Sequence, residues 1–179
     1  MNIFAVDDDP VLSAHQLPDK HIVKMPLECC QMLAVVFSKW YRDIGPVFKA
    51  DGTPYATEKG AFRNHPCTKW VAKSENNIQW LIQHGISLTE EYTYRYDKVH
   101  SCHKSLVLAG LMMQHNGCPE KHTPFARAMP DQWKYDETIS TEEAYQRYIA
   151  SKPWVPTNYL RVPDRKPSWI DRYAPLEAV

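Results

Sequence analysis

The sequence predicts a mostly α-helical protein that folds as a single compact domain over residues 1–179. Three observations lead to this fold class. Apolar residues recur at helical spacing over long stretches, helix-capping residues precede those stretches, and the length is that of one domain of ordinary size. Neither an internal repeat nor a low-complexity segment divides the chain. We therefore expect one helical core with little or no sheet.

The first forty residues predict an arm and two helices. Residues 1–7, MNIFAVD, form a short apolar run that is either a strand or a buried extended arm. The dipeptide DP at 9–10 is a strong helix start, because aspartate caps free N–H groups and proline fits the first helical position. A short helix over 10–17 and a long one over 19–42 are expected. Pro26 either kinks the long helix or marks a second start. The long helix has an apolar face for the core, formed by Ile22, Met25, Cys29, Met32, Leu33, Val36 and Trp40.

Glycine and proline punctuate the middle of the chain. Residues 44–62 are expected to be a loop, and residues 66–72 a short helix that opens with a proline. Ser74 caps the next helix, which Gly85 ends or interrupts. The stretch 87–114 continues as helix, in one or two pieces.

The last third of the chain combines one helix with proline-rich segments. Residues 116–136 are expected to be a loop. Ser140 and Glu143 have capping-box spacing and predict a helix to about residue 150. Segment 153–179 holds five prolines among aromatic residues. It is expected to lie extended over the helices, held by its rings.

Composition and charge limit the class of protein. Lysine plus arginine equal aspartate plus glutamate at 21 each, so a surface that attracts nucleic acid would have to be local. The chain holds no apolar stretch of about 18 residues and no basic leader before an apolar run. We therefore expect a soluble, unexported, cytoplasmic protein with no membrane partner.

The candidate metal ligands form no recognisable metal motif. The five cysteines are odd in number and lack a CxxC pair, so they are interpreted as buried thiols in a reducing compartment. The eight histidines show no HExxH or HxH spacing. No bound metal and no cofactor are expected.

A polar file lies on the opposite side of the long helix from its apolar face. His21, Lys24, Glu28 and Gln31 follow one another at spacings of three, four and three. One interpretation is a solvated face with an ordinary Lys24–Glu28 pair. The other is one wall of a cleft for an anionic ligand. There Glu28 would stabilise a cation or take a proton, and Lys24 would hold a phosphate or act as an amine.

Two further polar clusters are candidates for contact with an anion. Arg63, Asn64 and His65 precede the predicted helix at 66, where free N–H groups and the helix dipole favour negative charge. A polar loop in which His65 serves as a cap is the alternative.

The other cluster lies on the helix around residue 95. Glu91, Arg95 and Lys98 form a second polar file, and Tyr92 and His100 stand beside it. Rings next to basic groups suit stacking on bases and contact with phosphates. An amphipathic helix whose tyrosines pack on the C-terminal segment is the alternative.

Three motifs together resemble a family of small proteins of tailed bacteriophages. They are DKHIVKM at 19–25, RNHPCTKW at 63–70 and EYTYRYDKVH at 91–100. This resemblance implies the cytoplasm of an infected host cell and names no activity. A more distant resemblance, carried by MNIF at 1–4, LPDKHIVKMP at 17–26 and the NHPCTKW motif, is to the phage pyrimidine-dimer DNA glycosylases.

The second resemblance implies an all-helical enzyme with a defined chemistry. Its members are similar in using the N-terminal α-amine as a nucleophile at the sugar C1′, a glutamate of the first long helix to stabilise the iminium intermediate, and arginines to clamp phosphates. An α-amine ordinarily titrates near pH ~8, which suits that role. Here the glutamate would be Glu28. Before Arg42 at its predicted end, the first long helix has no arginine and carries His21 and Lys24 instead, so Lys24 is expected to contact a phosphate or to substitute as the amine.

The leading hypothesis is a DNA- or nucleotide-acting enzyme in which the two polar files face each other across a cleft. Base excision or base modification is the expected reaction, and the nucleophile is either the α-amine or Lys24. The alternatives are a non-catalytic phage protein that binds a host protein through segment 153–179, and a metal-dependent phosphohydrolase. The expected catalytic residues are Glu28, Lys24, His21 and His65, and the expected substrate- or phosphate-binding residues are Arg63, Asn64, Glu91, Tyr92, Arg95, Lys98 and His100.

Overall fold

A computed structural model describes residues 1–113 and 121–176, and over these residues the protein is mostly α-helical, as predicted. Eight α-helices and three short 3-10 turns form within these ranges, and no strand does. The helices are α1 Pro10–His15, α2 Asp19–Phe37, α3 Pro66–Ala72, α4 Glu75–Tyr96, α5 His103–Met112, α6 Asp131–Lys134, α7 Thr141–Ala150 and α8 Ser168–Tyr173.

The predicted caps define where several helices begin. The Asp9 carboxylate accepts hydrogen bonds from two N–H groups of the first turn of α1, and the Ser74 and Ser140 hydroxyls cap α4 and α7. His65 caps α3, where its Nδ1 accepts from the Cys67 N–H at 3.1 Å. These starts are confirmed because a cap acts on backbone groups only two or three residues away.

Helix α2 is the centre of the core and packs against α3, α4 and α5. It continues through Pro26, which removes one backbone hydrogen bond without ending the helix. It ends at Phe37, five residues before the predicted end at 42, because the following residues fold back onto the carbonyl of Phe37. Trp40, predicted on the apolar core face, is therefore 51% exposed.

Gly85 neither ends nor interrupts α4. A Cβ atom at this position would lie 2.7 Å from Leu106 Cδ2 and 3.3 Å from Cys29 Cβ. The absent side chain therefore lets α4 approach α5 and α2 closely. The prediction of a break at Gly85 was wrong, since packing between helices decides the role of this glycine. The predicted second piece begins at His103, after Asp97 ends α4 in a left-handed conformation with φ 54°.

The C-terminal segment is anchored by its rings but is not wholly extended. Helix α8 and two 3-10 turns interrupt it. The Trp169 indole N–H donates to the Gln16 side chain at 2.8 Å, and the Tyr159 hydroxyl donates to the Gln16 carbonyl at 2.6 Å. The segment is thereby tied to the end of α1.

Three further predictions concern the loop over 116–136, the cysteines and the absence of a membrane-crossing helix. The loop expected over 116–136 lies partly outside the described residues, and α6 adds one helical turn near its end. Four of the five cysteines are buried free thiols, and Cys118 lies outside the described residues. No helix in the described parts of the chain combines the length and the apolar character that crossing a membrane requires.

Candidate active site

The N-terminal residues form a buried arm, and the Asn2 side chain fixes its course. Asn2 Oδ1 accepts hydrogen bonds from the backbone N–H groups of Ile3 and Phe4, at 2.8 and 3.1 Å. Its amide nitrogen donates to the carbonyl of Ala128 at 2.7 Å. Phe4 has φ 56°, a left-handed conformation that is rare for a large side chain. Backbone strain of this kind is concentrated at functional sites, where surrounding contacts hold it.

This arm places the α-amine of the chain beside Glu28 of α2. The Met1 nitrogen lies 3.1 Å from Glu28 Oε1, and the Asn2 backbone N–H donates to the same oxygen at 3.0 Å. The Glu28 side chain is only 8% exposed. A buried carboxylate and a primary amine are thus in direct contact, and such a pair can supply a nucleophile with an adjacent base.

A cleft of about 310 Å³ opens over this pair and is rich in positive charge. Glu28 is the one carboxylate among its lining residues, and the amines of Met1 and three lysines surround it. Such a cleft favours an anionic ligand. Its lining residues are Met1, Asn2, Phe4, Lys20, His21, Lys24, Met25, Glu28, Tyr148, Lys152 and Trp154.

His21 is a neutral ring within the wall of the cleft. It stacks on Phe4 with ring centroids 4.4 Å apart and meets the Trp154 ring edge-on at 5.6 Å. Burial, followed by the positive charges of Lys152 and Lys24, lowers the pKa of His21 to about 3. Its buried Nδ1 has no hydrogen-bond partner within the described protein. The imidazole is therefore uncharged at neutral pH and acts as an aromatic surface.

His65 approaches the same site from α3. Its pKa is lowered by burial and by the positive charge of the α-amine, while Glu28 acts in the opposite direction. His65 is near enough to be affected by both charges, but it does not line the cleft, and its Nδ1 is occupied by the helix cap. Arg63 turns away: its guanidinium donates to the Gly60 carbonyl at 2.9 Å and lies 4.3 Å from the Trp40 ring. Asn64 is exposed.

The second polar file is in a different environment. Glu91 Oε1 accepts from Arg95 and from Arg165, each at 2.9 Å, and Arg95 also contacts Asp19 at 3.1 Å. The side chains of Glu91 and Arg95 are 2% and 0% exposed. These charges neutralise one another inside the protein, so the two files do not share a cleft as the sequence led us to expect.

The remaining predicted binding residues lie at the C-terminal end of α4 and just after it. Tyr92 stacks on Tyr96 at 5.0 Å and meets His100 at nearly a right angle, at 4.8 Å. A ring nitrogen of His100 lies 2.9 Å from the carbonyl of Val23 on α2. Lys98 is exposed. Tyr92 and His100 thus connect the end of α4 to α2, and none of the three residues lines the Glu28 cleft.

Sequence reasoning missed the distant residues that complete the cleft. Phe4, Tyr148, Lys152 and Trp154 are separated from Glu28 by 24 to more than 120 positions, so no helical spacing links them. No local signal in the sequence could have found them.

Within residues 1–113 and 121–176, no three His, Cys, Asp or Glu residues lie close enough together to hold a metal ion.

A larger groove lies elsewhere, after the C-terminal end of α2. It measures about 480 Å³ and is lined mainly by apolar residues, including Phe37, Trp40 and Pro54, with charges of both signs. It lacks the contact between an amine and a buried carboxylate. The chemistry of the side chains, and not the size of the cavity, makes the Glu28 cleft the candidate active site.

The fold and this cleft define a helical protein with an amine–carboxylate pair in a positive site. The family model described as pyrimidine dimer DNA glycosylase matches residues 1–104, which is more than half of the chain. The protein therefore belongs to the pyrimidine dimer DNA glycosylase family. Comparison with curated proteins and with solved structures gave no match. The matched residues contain His21, Lys24, Glu28 and His65, whereas Lys152 and Trp154 lie beyond them.

Proposed function

We propose that this protein is a DNA glycosylase that removes a damaged pyrimidine through a covalent amine intermediate. The observation that carries the proposal is the 3.1 Å contact between the Met1 α-amine and Glu28 in a positively charged cleft. Membership of the pyrimidine dimer DNA glycosylase family supports DNA as the substrate. The preferred substrate is a duplex that carries a pyrimidine dimer.

The reaction begins when the uncharged amine attacks the sugar C1′. A bond between the amine nitrogen and C1′ forms while the glycosidic bond breaks, and the base leaves with the electron pair and takes up a proton. Opening of the sugar then gives an iminium ion between the amine nitrogen and C1′. Glu28 suits two successive roles: it accepts a proton from the attacking amine and passes it to the sugar O4′ as the C1′–O4′ bond breaks. Its restored negative charge then stabilises the iminium.

The other cleft residues have supporting roles in this proposal. Lys24 is the second candidate for the nucleophile and otherwise contacts a phosphate. The stacked and largely buried rings of Phe4 and His21 form an apolar part of the cleft wall against which an extruded nucleotide could lie. His65 fixes the start of α3 next to the amine. None of these roles needs a cofactor.

Borohydride trapping tests the proposal directly. The purified protein is incubated with duplexes that carry a pyrimidine dimer or an abasic site, and sodium borohydride reduces any iminium to a stable bond. We expect a covalent protein–DNA adduct, and peptide mapping is expected to place it on the α-amine. Intact-mass measurement identifies the residue at the N-terminus. An adduct on Lys24 would show that the Lys24 side chain, and not the α-amine, is the nucleophile.

A Lys24→Met variant separates the two amines. Trapping that persists in this variant excludes Lys24 as the nucleophile. Absence of both an adduct and base release on every damaged duplex would overturn the proposed function. Base modification, binding of a host protein and phosphohydrolase chemistry stay predictions, since no observation on the described residues favours them.

A further inference from the structure

We infer that Lys152 and Trp154, beyond the family-matched residues, form the DNA-binding wall of the Glu28 cleft. Lys152 would bind a backbone phosphate next to the target nucleotide, and Trp154 would stack on its base. This inference rests on the proposed function and adds the part of the site that contacts the anionic and aromatic groups of the ligand. The matched residues end at 104, so both side chains come from the C-terminal part of the chain outside the match.

The Lys152 ammonium is held by rings and not by a carboxylate. It lies 4.8 Å from the centre of the Tyr148 ring, 5.2 Å from Phe4 and 5.9 Å from Trp154. Rings attract a cation without neutralising its charge. By contrast, Arg147 on the preceding helix is paired with Glu143 at 2.7 Å. Lys152 therefore keeps its positive charge available to a ligand.

The cleft brings Lys152 close to other cations. Burial, followed by the charge of Lys24, lowers the pKa of Lys152, while Glu28 acts in the opposite direction. Lys20, which also lines the cleft, lies 4.6 Å from the centre of the Trp154 ring. Like charges that converge on one cleft repel each other, and a bound phosphate relieves that repulsion. The ligand that fits is negatively charged.

The rings supply the second half of the recognition. Trp154 is half-buried and presents one edge to His21 at 5.6 Å, while Phe4 lies under the same imidazole. Stacking of a base on an aromatic side chain contributes about 1–3 kcal/mol and tolerates any base sequence. Cations and rings that line one cleft together fit a nucleotide better than an inorganic anion.

The segment that carries Trp154 is hydrogen-bonded to the first residues of α2. The Asp19 N–H donates to the Asn158 carbonyl at 2.8 Å, and the Lys20 N–H donates to the Asn158 side chain at 2.8 Å. Val155 is fully buried between them. The wall is therefore fixed relative to Lys24 and Glu28 on α2, and its position does not depend on a ligand.

The test measures DNA binding without catalysis. The probe is a fluorescent duplex with a tetrahydrofuran abasic site, which cannot form an iminium, and anisotropy is followed over a range of KCl concentrations. We expect Lys152→Met to bind about tenfold more weakly. The slope of log affinity against log salt is expected to fall by about one, since one phosphate contact is lost. Lys152→Arg should restore both, and Trp154→Leu should weaken binding about tenfold with an unchanged slope.

Lys73→Met is the control for the loss of one lysine charge, because Lys73 is exposed at the end of α3 and does not line the cleft. It should bind like the wild type. Unchanged affinity and slope in Lys152→Met would overturn the inference, and so would a wild type that binds no DNA. A wild type that forms no adduct but binds the probe, with the expected loss in Lys152→Met, would overturn the nucleophile proposal and leave this inference standing.

Discussion

Glu28 and Glu91 are two buried carboxylates that lie on the two long helices, and the sequence places each in a polar file at helical spacing. Glu91 contacts two arginines, one of which also contacts Asp19, so that the two positive and two negative charges are paired with one another. Glu28 contacts the α-amine, and a positively charged cleft opens beside it. The same sequence pattern therefore gives a structural ion cluster in one region and a candidate active site in the other.

The difference teaches how a polar helix face acquires a function. In the Glu91 cluster every charge has a fixed partner within the protein, so nothing is left for a ligand. In the Glu28 cleft the cations outnumber the single carboxylate, and the surplus positive charge faces open space. Unbalanced charge beside a cavity indicates binding, while a balanced set of buried charges leaves no charge for a ligand and tolerates the loss of no member.

The largest expected effect is the loss of activity in Glu28→Gln. Replacing the carboxylate with an amide removes both the proton acceptor and the negative charge next to the iminium. We expect the single-turnover rate of base release to fall about 10³-fold, within the range for such groups. Thermal unfolding should change less than in the corresponding Glu91 variant, because the open cleft lets water solvate the amine that loses its counter-charge. A variant that retains the wild-type rate would contradict the role of Glu28.

The reverse result is expected for Glu91→Gln. The substitution leaves Arg95 and Arg165 without a buried counter-charge, which lowers the free energy of unfolding by about 3 kcal/mol. Urea denaturation measures this loss. Base release per folded molecule should be unchanged. If Glu91→Gln instead folds like the wild type and loses activity, the two regions have been assigned the wrong roles.

A third effect concerns the pH dependence of stability at the cleft. The folded pKa of His21 is about 3, below its ordinary value of 6.5, so the unfolded chain binds this proton more tightly. The stabilising contribution is complete above pH 6.5 and is lost progressively as the pH falls towards 3. Between pH 7.5 and 5 we expect His21 to reduce the free energy of unfolding by about 2 kcal/mol.

Urea denaturation of His21→Gln at the same two pH values checks this effect. The variant should lose about 2 kcal/mol less than the wild type over this interval. His84→Gln is a positive comparison: burial lowers the pKa of His84 to about 4, so this variant should also lose about 2 kcal/mol less, although His84 lies outside the cleft. A wild type and a His21→Gln variant with the same pH dependence would show that His21 is not buried as a neutral ring.

The smallest effect compares two cations of the C-terminal part. Arg165→Ala removes one partner of Glu91 and should lower the free energy of unfolding by about 1 kcal/mol, since Arg165 is partly exposed. DNA binding should not change. Lys166→Ala is the control, because it breaks only a surface pair with Asp171. An effect of Arg165→Ala on binding but not on stability would place Arg165 with the cleft.

The sequence by itself determined the helical class, the starts of α1, α3, α4 and α7, and the position of Glu28 on a polar face. These features depend on caps and periodicity, which act between residues a few positions apart. The motifs that carried the resemblance to the glycosylases lie within residues 1–104, which the family model matches. The sequence also indicated an amine beside this carboxylate, but only through the resemblance.

Only the tertiary structure decided which polar face is open. Arg165 closes the Glu91 cluster from 74 residues away, and Lys152 and Trp154 complete the Glu28 cleft from a segment beyond α7. Gly85 likewise acquires its role from side chains of two other helices. Local spacing carries no information about such partners. Burial and charge balance are set when distant segments pack together, so function at these two similar faces was decided by the packing of the chain.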